Sequence, residues 1–204
     1  VAPNGTLAYV PGAVIDPPRQ LVWIDRDGLE TPISEPRRYG QPRVSPDGSR
    51  IALTIEDKSW DLWALELDRG TLSRLSFEPA TQFGAVWTPG GDRIVYGQDD
   101  PPYNIYRRPA DGTSQAELLL GTQVDNEALS ISPDGEFLIY SHSDKGASYD
   151  LRIMPLEESG EARSWIETPF NEYFASFSPD GNWIAFMSDE TGTDQVYVQR
   201  FPDG

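Results

Sequence analysis

Nucleophilic catalysis would have to use the single histidine of the chain, His142, which two serines flank. A Ser–His–Asp triad needs an imidazole as its general base, and a Gly-x-Ser-x-Gly turn often exposes the nucleophile. The sequence has no such turn, and His142 stands in the stretch Tyr-Ser-His-Ser-Asp at 140–144, just after a predicted strand. We therefore interpret His142 as a residue of the loop to the next strand and predict no catalytic residue.

Carboxylates are plentiful, with 33 Asp and Glu side chains, but their positions favour structural roles. Asp47, Asp134 and Asp180 each stand in a Pro-Asp-Gly turn, where a short side chain can bond the following backbone amide. Asp61 and Asp150 begin predicted strands, and we expect them to bond neighbouring loop backbone. A glycosidase or lyase would need a positioned pair of carboxylates in a cleft, and the sequence shows no such pair.

One acidic stretch is a candidate cation site. Three carboxylates surround a glycine in Asp-Glu-Thr-Gly-Thr-Asp at 189–194, and oxygen ligands of this kind bind Ca²⁺. The stretch lacks the ligand spacing of a known calcium loop, so we favour a solvated turn, with Ca²⁺ at Asp189 and Asp194 as the alternative. No other cofactor is predicted, because one imidazole is too few for a His-rich metal site and no phosphate-binding loop or dinucleotide fingerprint is present.

The overall composition excludes several classes of partner. The chain has 204 residues, 33 acidic and 16 basic side chains, a formal net charge of −17 and no cysteine. Nucleic acids and anionic lipids are bound by clustered Lys and Arg, so we predict no nucleic-acid partner. The longest apolar runs are far shorter than the roughly 18 residues of a membrane span, so we also predict no direct membrane insertion. Without cysteine there is no disulfide, thiolate nucleophile or usual structural zinc site.

The elements that would position any site repeat along the chain. Related turn sequences occur at 2–5, 45–48, 88–91, 132–135 and 178–181, and their prolines are 43, 43, 44 and 46 residues apart. A period of this length with several short strands is typical of a β-propeller blade. Alternating apolar residues precede each turn, and β-branched and aromatic residues follow it, as in two strands of a hairpin. Third and fourth strands follow in the complete repeats, so we predict an all-β propeller of four-stranded antiparallel blades.

Counting strands predicts about five blades, of which the first and last are incomplete. The first repeat lacks its innermost strand and the last lacks its outermost one, which gives 18 strands in one domain spanning 1–204. The predicted blades are 1–36, 37–79, 80–122, 123–168 and 169–204. We expect the natural ring to have six blades, of which this chain is an excerpt, and we expect exposed blade flanks to allow self-association.

These repeats resemble the TolB-type β-propeller repeat family over nearly the whole chain. The stretches that carry the resemblance are Gly-Thr-Leu-Ala-Tyr-Val-Pro-Gly at 5–12, Leu-Val-Trp-Ile-Asp-Arg-Asp-Gly at 21–28, Asp-Leu-Trp at 61–63, Thr-Pro-Phe-Asn-Glu at 168–172 and Val-Tyr-Val at 196–198. The sequence looks closest to the propeller regions that follow the kinase domain in bacterial membrane-anchored serine/threonine kinases. The resemblance implies the fold rather than the function, since similar blades occur in periplasmic TolB, in prolyl-oligopeptidase-type peptidases and in lyases.

Propeller geometry predicts where a binding site would lie. First strands line the central channel, so the segments that lead into them form one rim of it, together with the loops between second and third strands. These segments combine aromatic, amide and charged side chains, which is typical of a recognition surface. The candidate rim residues are Arg38, Tyr39, Gln82, Phe83, Asn126, Glu127, Glu172 and Tyr173. Blade packing with ordinary solvated loops is the alternative, and Arg37 with Arg38 could attract an anionic group.

Two functions from different classes follow. The first is a non-catalytic module that binds a protein or peptide in the periplasm or outside the cell, and the sensor region of a bacterial kinase is one form of it. A cytoplasmic location is the alternative. The second is the propeller of a peptidase, hydrolase or lyase whose catalytic residues lie partly outside this chain.

Overall fold

The described part of the chain consists of β-strands and their connections. The structure is a computed structural model that describes residues 7–9, 17–99, 102–143, 148–157 and 161–202. Within these ranges there are eighteen strands and no α-helix. The strands are β1 Leu7–Tyr9, β2 Val22–Ile24, β3 Glu30–Pro32, β4 Tyr39–Val44, β5 Arg50–Glu56, β6 Trp60–Glu66, β7 Thr71–Arg74, β8 Thr81–Trp87, β9 Arg93–Asp99, β10 Asn104–Pro109, β11 Glu117–Leu120, β12 Asp125–Ile131, β13 Phe137–Ser143, β14 Asp150–Pro155, β15 Arg163–Ile166, β16 Glu172–Phe177, β17 Trp183–Ser188 and β18 Gln195–Arg200.

Consecutive strands pair into five antiparallel sheets, each of which is one blade. The middle three sheets are β4–β7, β8–β11 and β12–β15, and each has four strands in chain order. The described residues give the first and last sheets, β1–β3 and β16–β18, three strands each. The first strands β4, β8, β12 and β16 are neighbours in space. The prediction of an all-β propeller with 18 strands is confirmed, whereas the blade boundaries and the sixth blade stay predictions.

The Pro-Asp-Gly turns between first and second strands have the predicted structure. The backbone N–H groups of Ser49, Glu136 and Asn182 donate to the carboxylates of the turn aspartates two residues earlier. The glycine of each turn has a positive φ, 73° at Gly48 and 72° at Gly181, a conformation that a residue without Cβ adopts at little cost. A side-chain hydrogen bond, with Asn182 at Asp180, with Ser45 at Asp47 and with Ser132 at Asp134, is the largest cause that lowers the pKa of these turn carboxyls, and the backbone hydrogen bonds add to it.

The hydrophobic cores lie between blades rather than inside them. One cluster joins Leu62 and Leu75 of the second blade to Trp87, Ile94 and Tyr96 of the third. Equivalent clusters join the third blade to the fourth and the fourth to the fifth. Each sheet is a single layer, so it buries its two faces only by packing against its neighbours.

The structure corrects the predicted location of His142. This residue lies within β13, where it pairs with Asn126 of β12 and Asp150 of β14, and not in the loop that follows. The strand continues past Tyr140 through Ser141, His142 and Ser143. These three side chains are polar, so an apolar pattern does not indicate that the strand extends through them. Ser141 and Ser143 are nevertheless buried.

Candidate functional site

Two adjoining cavities open where the first strands begin, and we call them together the channel mouth. The first mouth cavity has a volume of about 340 Å³ and the second about 420 Å³. Glu127, Ser141 and Tyr149 line both cavities. The first also has Gln41, Thr81, Phe83, Asp99, Tyr103, Asp125 and Asn126, and the second also has Leu129, Asn171, Tyr173 and Phe174. A larger cavity of about 660 Å³, the channel itself, continues from Glu127 along the first strands.

Tyr103 and Tyr149 occupy matching positions in consecutive blades, directly before the third strands. The following blade holds the main chain of each. The Tyr103 N–H donates to the Asp125 carboxylate at 2.9 Å, and its carbonyl accepts from the backbone N–H of Asn126 at 3.0 Å. The Tyr149 N–H donates to Asn171 Oδ1 at 3.3 Å, and its carbonyl likewise accepts from the next blade. The backbone of these two tyrosines is therefore fixed, while their rings are about two-fifths and one-half exposed.

Phe83 supports the Tyr103 ring from the adjacent first strand. The two ring centroids are 5.3 Å apart in an edge-to-face arrangement, with an interplanar angle of 66°. The Phe83 ring lies over its cross-strand partner Gly97, where a Cβ would stand 2.3 Å from the phenyl carbon Cε2. A glycine at 97 is therefore required for Phe83 to occupy this position.

Glu127 is half-buried and stands at the point where all three cavities meet. Burial raises the pKa of its carboxyl, while a hydrogen bond with Gln41 and the charge of Arg43 act in the opposite direction. Gly84 leaves space for this arrangement, because a Cβ there would stand 3.2 Å from Glu127 Oε1. The Glu127 carboxyl therefore lies against the channel wall, beside Gly84 and the neutral side chain of Gln41.

Each of the described first strands β4, β8, β12 and β16 has a bulge, and these bulges shape the channel wall. The pairing register shifts after Gly40, Phe83, Ala128 and Tyr173. Three residues at the bulges have a positive φ, namely Gln41 at 47°, Gly84 at 62° and Phe174 at 55°. The Gln41 side-chain carbonyl accepts a hydrogen bond from the Gly84 N–H, so the bulges of two neighbouring blades are joined directly.

Four of the eight candidate rim residues are buried within the blades, and of these four only Asn126 also lines a mouth cavity. Tyr39 is 4% exposed, and Gln82, Asn126 and Glu172 are each 1% exposed. The Tyr39 hydroxyl donates to the Glu35 carbonyl at 2.8 Å. Because strand side chains alternate, the adjacent residues Phe83, Glu127 and Tyr173 are the ones that reach the mouth. The buried four position the rim, and Arg38 pairs with Glu56 at 2.8 Å outside both cavities.

The buried residues of three blades form a repeated contact that we call the polar link. Each polar link joins a hydroxyl from the end of the preceding blade, a first-strand side chain and a side chain of the second strand. The links are Ser76–Gln82–Gln98, Thr122–Asn126–His142 and Thr168–Glu172–Ser188, with hydrogen bonds between 2.6 and 3.4 Å. The histidine considered for catalysis therefore places its Nδ1 2.9 Å from Asn126 Oδ1 in a structural contact.

The two carboxylates considered for Ca²⁺ have separate protein partners. Asp189 accepts hydrogen bonds from the backbone and side-chain nitrogens of Asn171, at 2.9 and 2.7 Å. Asp194 accepts one from the Tyr173 hydroxyl at 2.6 Å. In the ranges that the structure describes, no group of three or more His, Asp or Glu side chains could hold a metal ion. A Ca²⁺ site here has no support from this arrangement.

Sequence reasoning missed Tyr103 and Tyr149, and it included Gln41 only as part of the segment 37–41 that leads into a first strand. A signal for the tyrosines exists, since three blades have an aromatic residue where the third strand starts: Tyr103 and Tyr149 directly precede β10 and β14, and Trp60 is the first residue of β6. Gln41 has no such signal, because it reaches the mouth only through a bulge whose positive φ is unusual for a glutamine.

Comparison with known proteins defines the fold. The chain matches no protein-family profile. It is 27% identical over 209 residues to the uncharacterised peptidase YuxL of Bacillus subtilis, covering 96% of this chain and 30% of YuxL. The structure superposes on TolB of Acinetobacter baumannii with a TM-score of 0.78 and 20% identity, covering 96% of this chain and 49% of that one. A TolB-like protein of Agrobacterium tumefaciens gives 0.80 and 18%, with coverage of 100% and 76%. The chain has a TolB-like β-propeller fold.

The chain spans only part of these relatives, about a third of YuxL and about half of the Acinetobacter protein. These likenesses establish the fold alone, because the structural identities lie near 20%. In the residues that the structure describes, no helix has the length and apolarity to cross a membrane.

Proposed function

We propose that this propeller is a non-catalytic module that binds a protein or peptide at the channel mouth. The observation that carries the proposal is the convergence of Phe83, Tyr103, Tyr149 and Tyr173, from three blades, on two open cavities. Partly exposed aromatic rings on a fixed backbone supply contact area at a small entropic cost, and such residues dominate binding surfaces. The TolB-like fold is consistent with this role.

The proposal also covers the cellular location of the module and the kind of protein to which it belongs. We propose a periplasmic or extracellular location, which the likeness to TolB favours, and a role as the sensor region of a bacterial kinase is one form that such a module could take. Neither part follows from the fold itself.

A second function is supported by the likeness to YuxL over 96% of this chain. Under that alternative, the propeller is one portion of a peptidase, hydrolase or lyase, and the chemistry lies partly in residues beyond this chain. His142, the one imidazole available, is engaged in a polar link. The coding sequence around this chain separates the two, since a kinase and a hydrolase domain have different motifs.

Selection of peptides tests the proposed function. We expect a random peptide library displayed on phage, panned on the protein, to yield a consensus sequence. A synthetic peptide of that sequence should bind about tenfold or more weakly to the double variant Tyr103→Ala/Tyr149→Ala, because both rings line the mouth. Trp183→Ala is the control: this partly exposed aromatic lies beside a turn at the opposite end of the blade and should leave the affinity unchanged.

Two results would overturn the proposal. One is a peptide that binds equally well to the double variant, which would place the binding surface elsewhere. The other is cleavage of the peptide during incubation, detected by mass spectrometry, which would show catalysis.

A further inference from the structure

The first mouth cavity has a negative lining. Asp99, Asp125 and Glu127 line it, and no Lys or Arg is present among the described residues around it. The effect of these charges is visible at Tyr103, whose pKa is raised chiefly by Asp99, with burial and Asp125 adding to it. The second mouth cavity shares Glu127 and likewise has no basic residue in its described lining. A narrow site with one sign of charge favours an occupant of the other sign.

Three aromatic rings also line the first mouth cavity. Phe83, Tyr103 and Tyr149 belong to three different elements and stand around the same space as the carboxylates. The face of an aromatic ring attracts ammonium and guanidinium groups, and this attraction increases as the site is shielded from water. A wall of rings together with carboxylates suits a cation carried on an aliphatic stem.

Glu127 is the carboxylate of this cavity that a bound cation would stabilise most. Its carboxyl is half-buried, and no described Lys or Arg forms an ion pair with it within 4 Å. Arg43, the nearby cation, lines the channel cavity rather than the mouth. A buried carboxylate loses hydration that a bound cation would replace.

We propose that the first mouth cavity binds a cationic side chain, lysine or arginine, of the peptide partner, with Glu127 as its counter-charge and Tyr103 and Tyr149 as its aromatic wall. This inference rests on the proposed function and adds the chemical class of the partner. The cavity volume of about 340 Å³ is at the lower end of ligand pockets, which suits one side chain of a docked segment.

Small amides that carry one side chain each are the probes for this site. Nα-acetyl-lysinamide, Nα-acetyl-argininamide and the neutral isostere Nα-acetyl-norleucinamide would be titrated separately, with binding followed by saturation-transfer NMR. We expect both cationic amides to bind and the norleucine amide to bind at least about fivefold more weakly, because it lacks the charge that the carboxylates and rings recognise.

The variant Glu127→Gln keeps the shape of the side chain and removes its charge. We expect it to weaken binding of the two cationic amides about tenfold and to leave the norleucine amide unchanged. Glu136→Gln, the same substitution at an exposed site beside a turn at the opposite end of the blade, should change neither. If Glu127→Gln fails to fold, Tyr149→Ala, which removes a half-exposed ring, should weaken the cationic amides about fivefold and serves in its place.

Binding should also depend on pH. Arg43, Asp99, Asp125, Tyr103 and Tyr149 are the charged or titratable groups around Glu127 in the described structure. Because burial raises the pKa of Glu127, lowering the pH from 7 to 5 protonates part of it and weakens binding of the lysine amide to the native protein. The Glu127→Gln variant should lack this component of the pH dependence.

Two outcomes overturn this inference and leave the proposed function intact. One is equal binding of the norleucine and lysine amides. The other is a selected peptide that competes for the mouth but contains no lysine or arginine. In contrast, amides that bind in a Glu127-dependent manner support the cation site even if panning yields no consensus peptide, so the two proposals fail separately.

Discussion

At the residue scale, Glu172 is the member of the polar links with the least complete set of partners. Its Oε1 accepts hydrogen bonds from the hydroxyls of Thr168 at 2.6 Å and Ser188 at 3.2 Å, whereas its buried Oε2 has no hydrogen-bond partner. Burial raises the pKa of the carboxyl, and the charge of Asp150 adds to the effect. The equivalent residues Gln82 and Asn126 are neutral amides, so a charge is not needed for this contact.

Glu172→Gln should therefore stabilise the protein at neutral pH. The folded-state pKa of Glu172 lies above its ordinary value of 4.5, so the folded protein binds more protons and loses stability as the pH rises through that interval. The amide avoids this loss, and we expect the free energy of unfolding at pH 7 to increase by about 1 kcal/mol. Chemical denaturation at a series of pH values measures it.

The difference between variant and native protein should vanish below pH 4.5, where the carboxyl is protonated in both states. Glu136→Gln, at an exposed site, should change the stability little at any pH. A Glu172→Gln variant that is less stable than the native protein at pH 7 would mean that the ionised carboxylate has a favourable partner.

Single residues were predictable from the sequence when their role is local. Asp47 and Asp180 bond amides two residues away, and their Pro-Asp-Gly context is sufficient to identify that role. Glu127 and Tyr173 line the mouth cavities. Gln82 and Glu172 do not, because the alternation of strand side chains turns them inward, and the sequence alone did not indicate which of two adjacent residues faces the channel.

At the element scale, the pairing of β8 with β9 shapes the mouth because Phe83 stands opposite a glycine, Gly97. Gly97 has no Cβ, and the Phe83 ring occupies the space that a Cβ would take. Phe83 in turn contacts Tyr103 in the loop after β9. Strand, loop and cavity wall therefore depend on a single position in the sheet.

Gly97→Ala should displace Phe83 and distort the mouth. Three ring atoms of Phe83 would lie 2.3 to 2.8 Å from the new Cβ, so the ring has to move, and we expect a loss of roughly 1–3 kcal/mol in the free energy of unfolding. Binding at the mouth should weaken as well. Denaturant titration and a binding assay with the selected peptide measure the two effects.

A second substitution separates this clash from a general sensitivity of glycines. Gly90→Ala adds the same methyl group in an exposed turn, where the nearest contact is the tip of Asp92 at 3.1 Å, and should change stability by no more than about 0.5 kcal/mol. Phe83→Leu should restore part of the stability of Gly97→Ala. Failure of that rescue would show that the ring is not the cause.

The strands themselves were predictable because blades repeat the same apolar pattern and turn. The bulges were not. In β4 and β16 the bulge places Gln41 and Phe174 at positive φ, and these residue types give no local signal for this conformation, which the pairing of the whole first strand decides. The continuation of β13 through His142 was missed for a related reason, since its polar residues are buried by neighbouring blades.

At the scale of the whole molecule, stability depends on the joints between blades. Trp87 of the third blade donates from its Nε1 to the Arg43 carbonyl of the second blade at 2.9 Å. The Arg50 guanidinium of the second blade lies 4.8 Å from the centroid of the Trp87 ring and donates to the Gly91 carbonyl at 2.6 Å. Ser130 and Phe177 form a comparable hydrogen bond between the fourth and fifth blades.

Trp87→Phe should weaken the joint between the second and third blades. It removes the hydrogen bond to Arg43 and reduces the ring face beneath Arg50, and we expect a loss of about 2 kcal/mol in the free energy of unfolding. Trp183→Phe, which replaces a partly exposed tryptophan, is the matched control and should cost less than about 0.5 kcal/mol. Equal losses from the two variants would show that the inter-blade hydrogen bond contributes nothing measurable.

The last described strand, β18, bears on the prediction that the protein self-associates, which stays a prediction. Val196 and Val198 of β18 are 71% and 63% exposed, and β18 has no second neighbouring strand in the described part of the chain. Exposed apolar side chains along a strand edge favour contact with another chain.

The backbone contacts of Tyr103 and Tyr149 have a mechanical consequence. Each tyrosine belongs to one blade, but its backbone amide and carbonyl are hydrogen-bonded to the next blade. A small rotation between two blades would therefore change the distance between the two tyrosine rings. A segment bound between the two rings, as proposed above, would therefore oppose such a rotation.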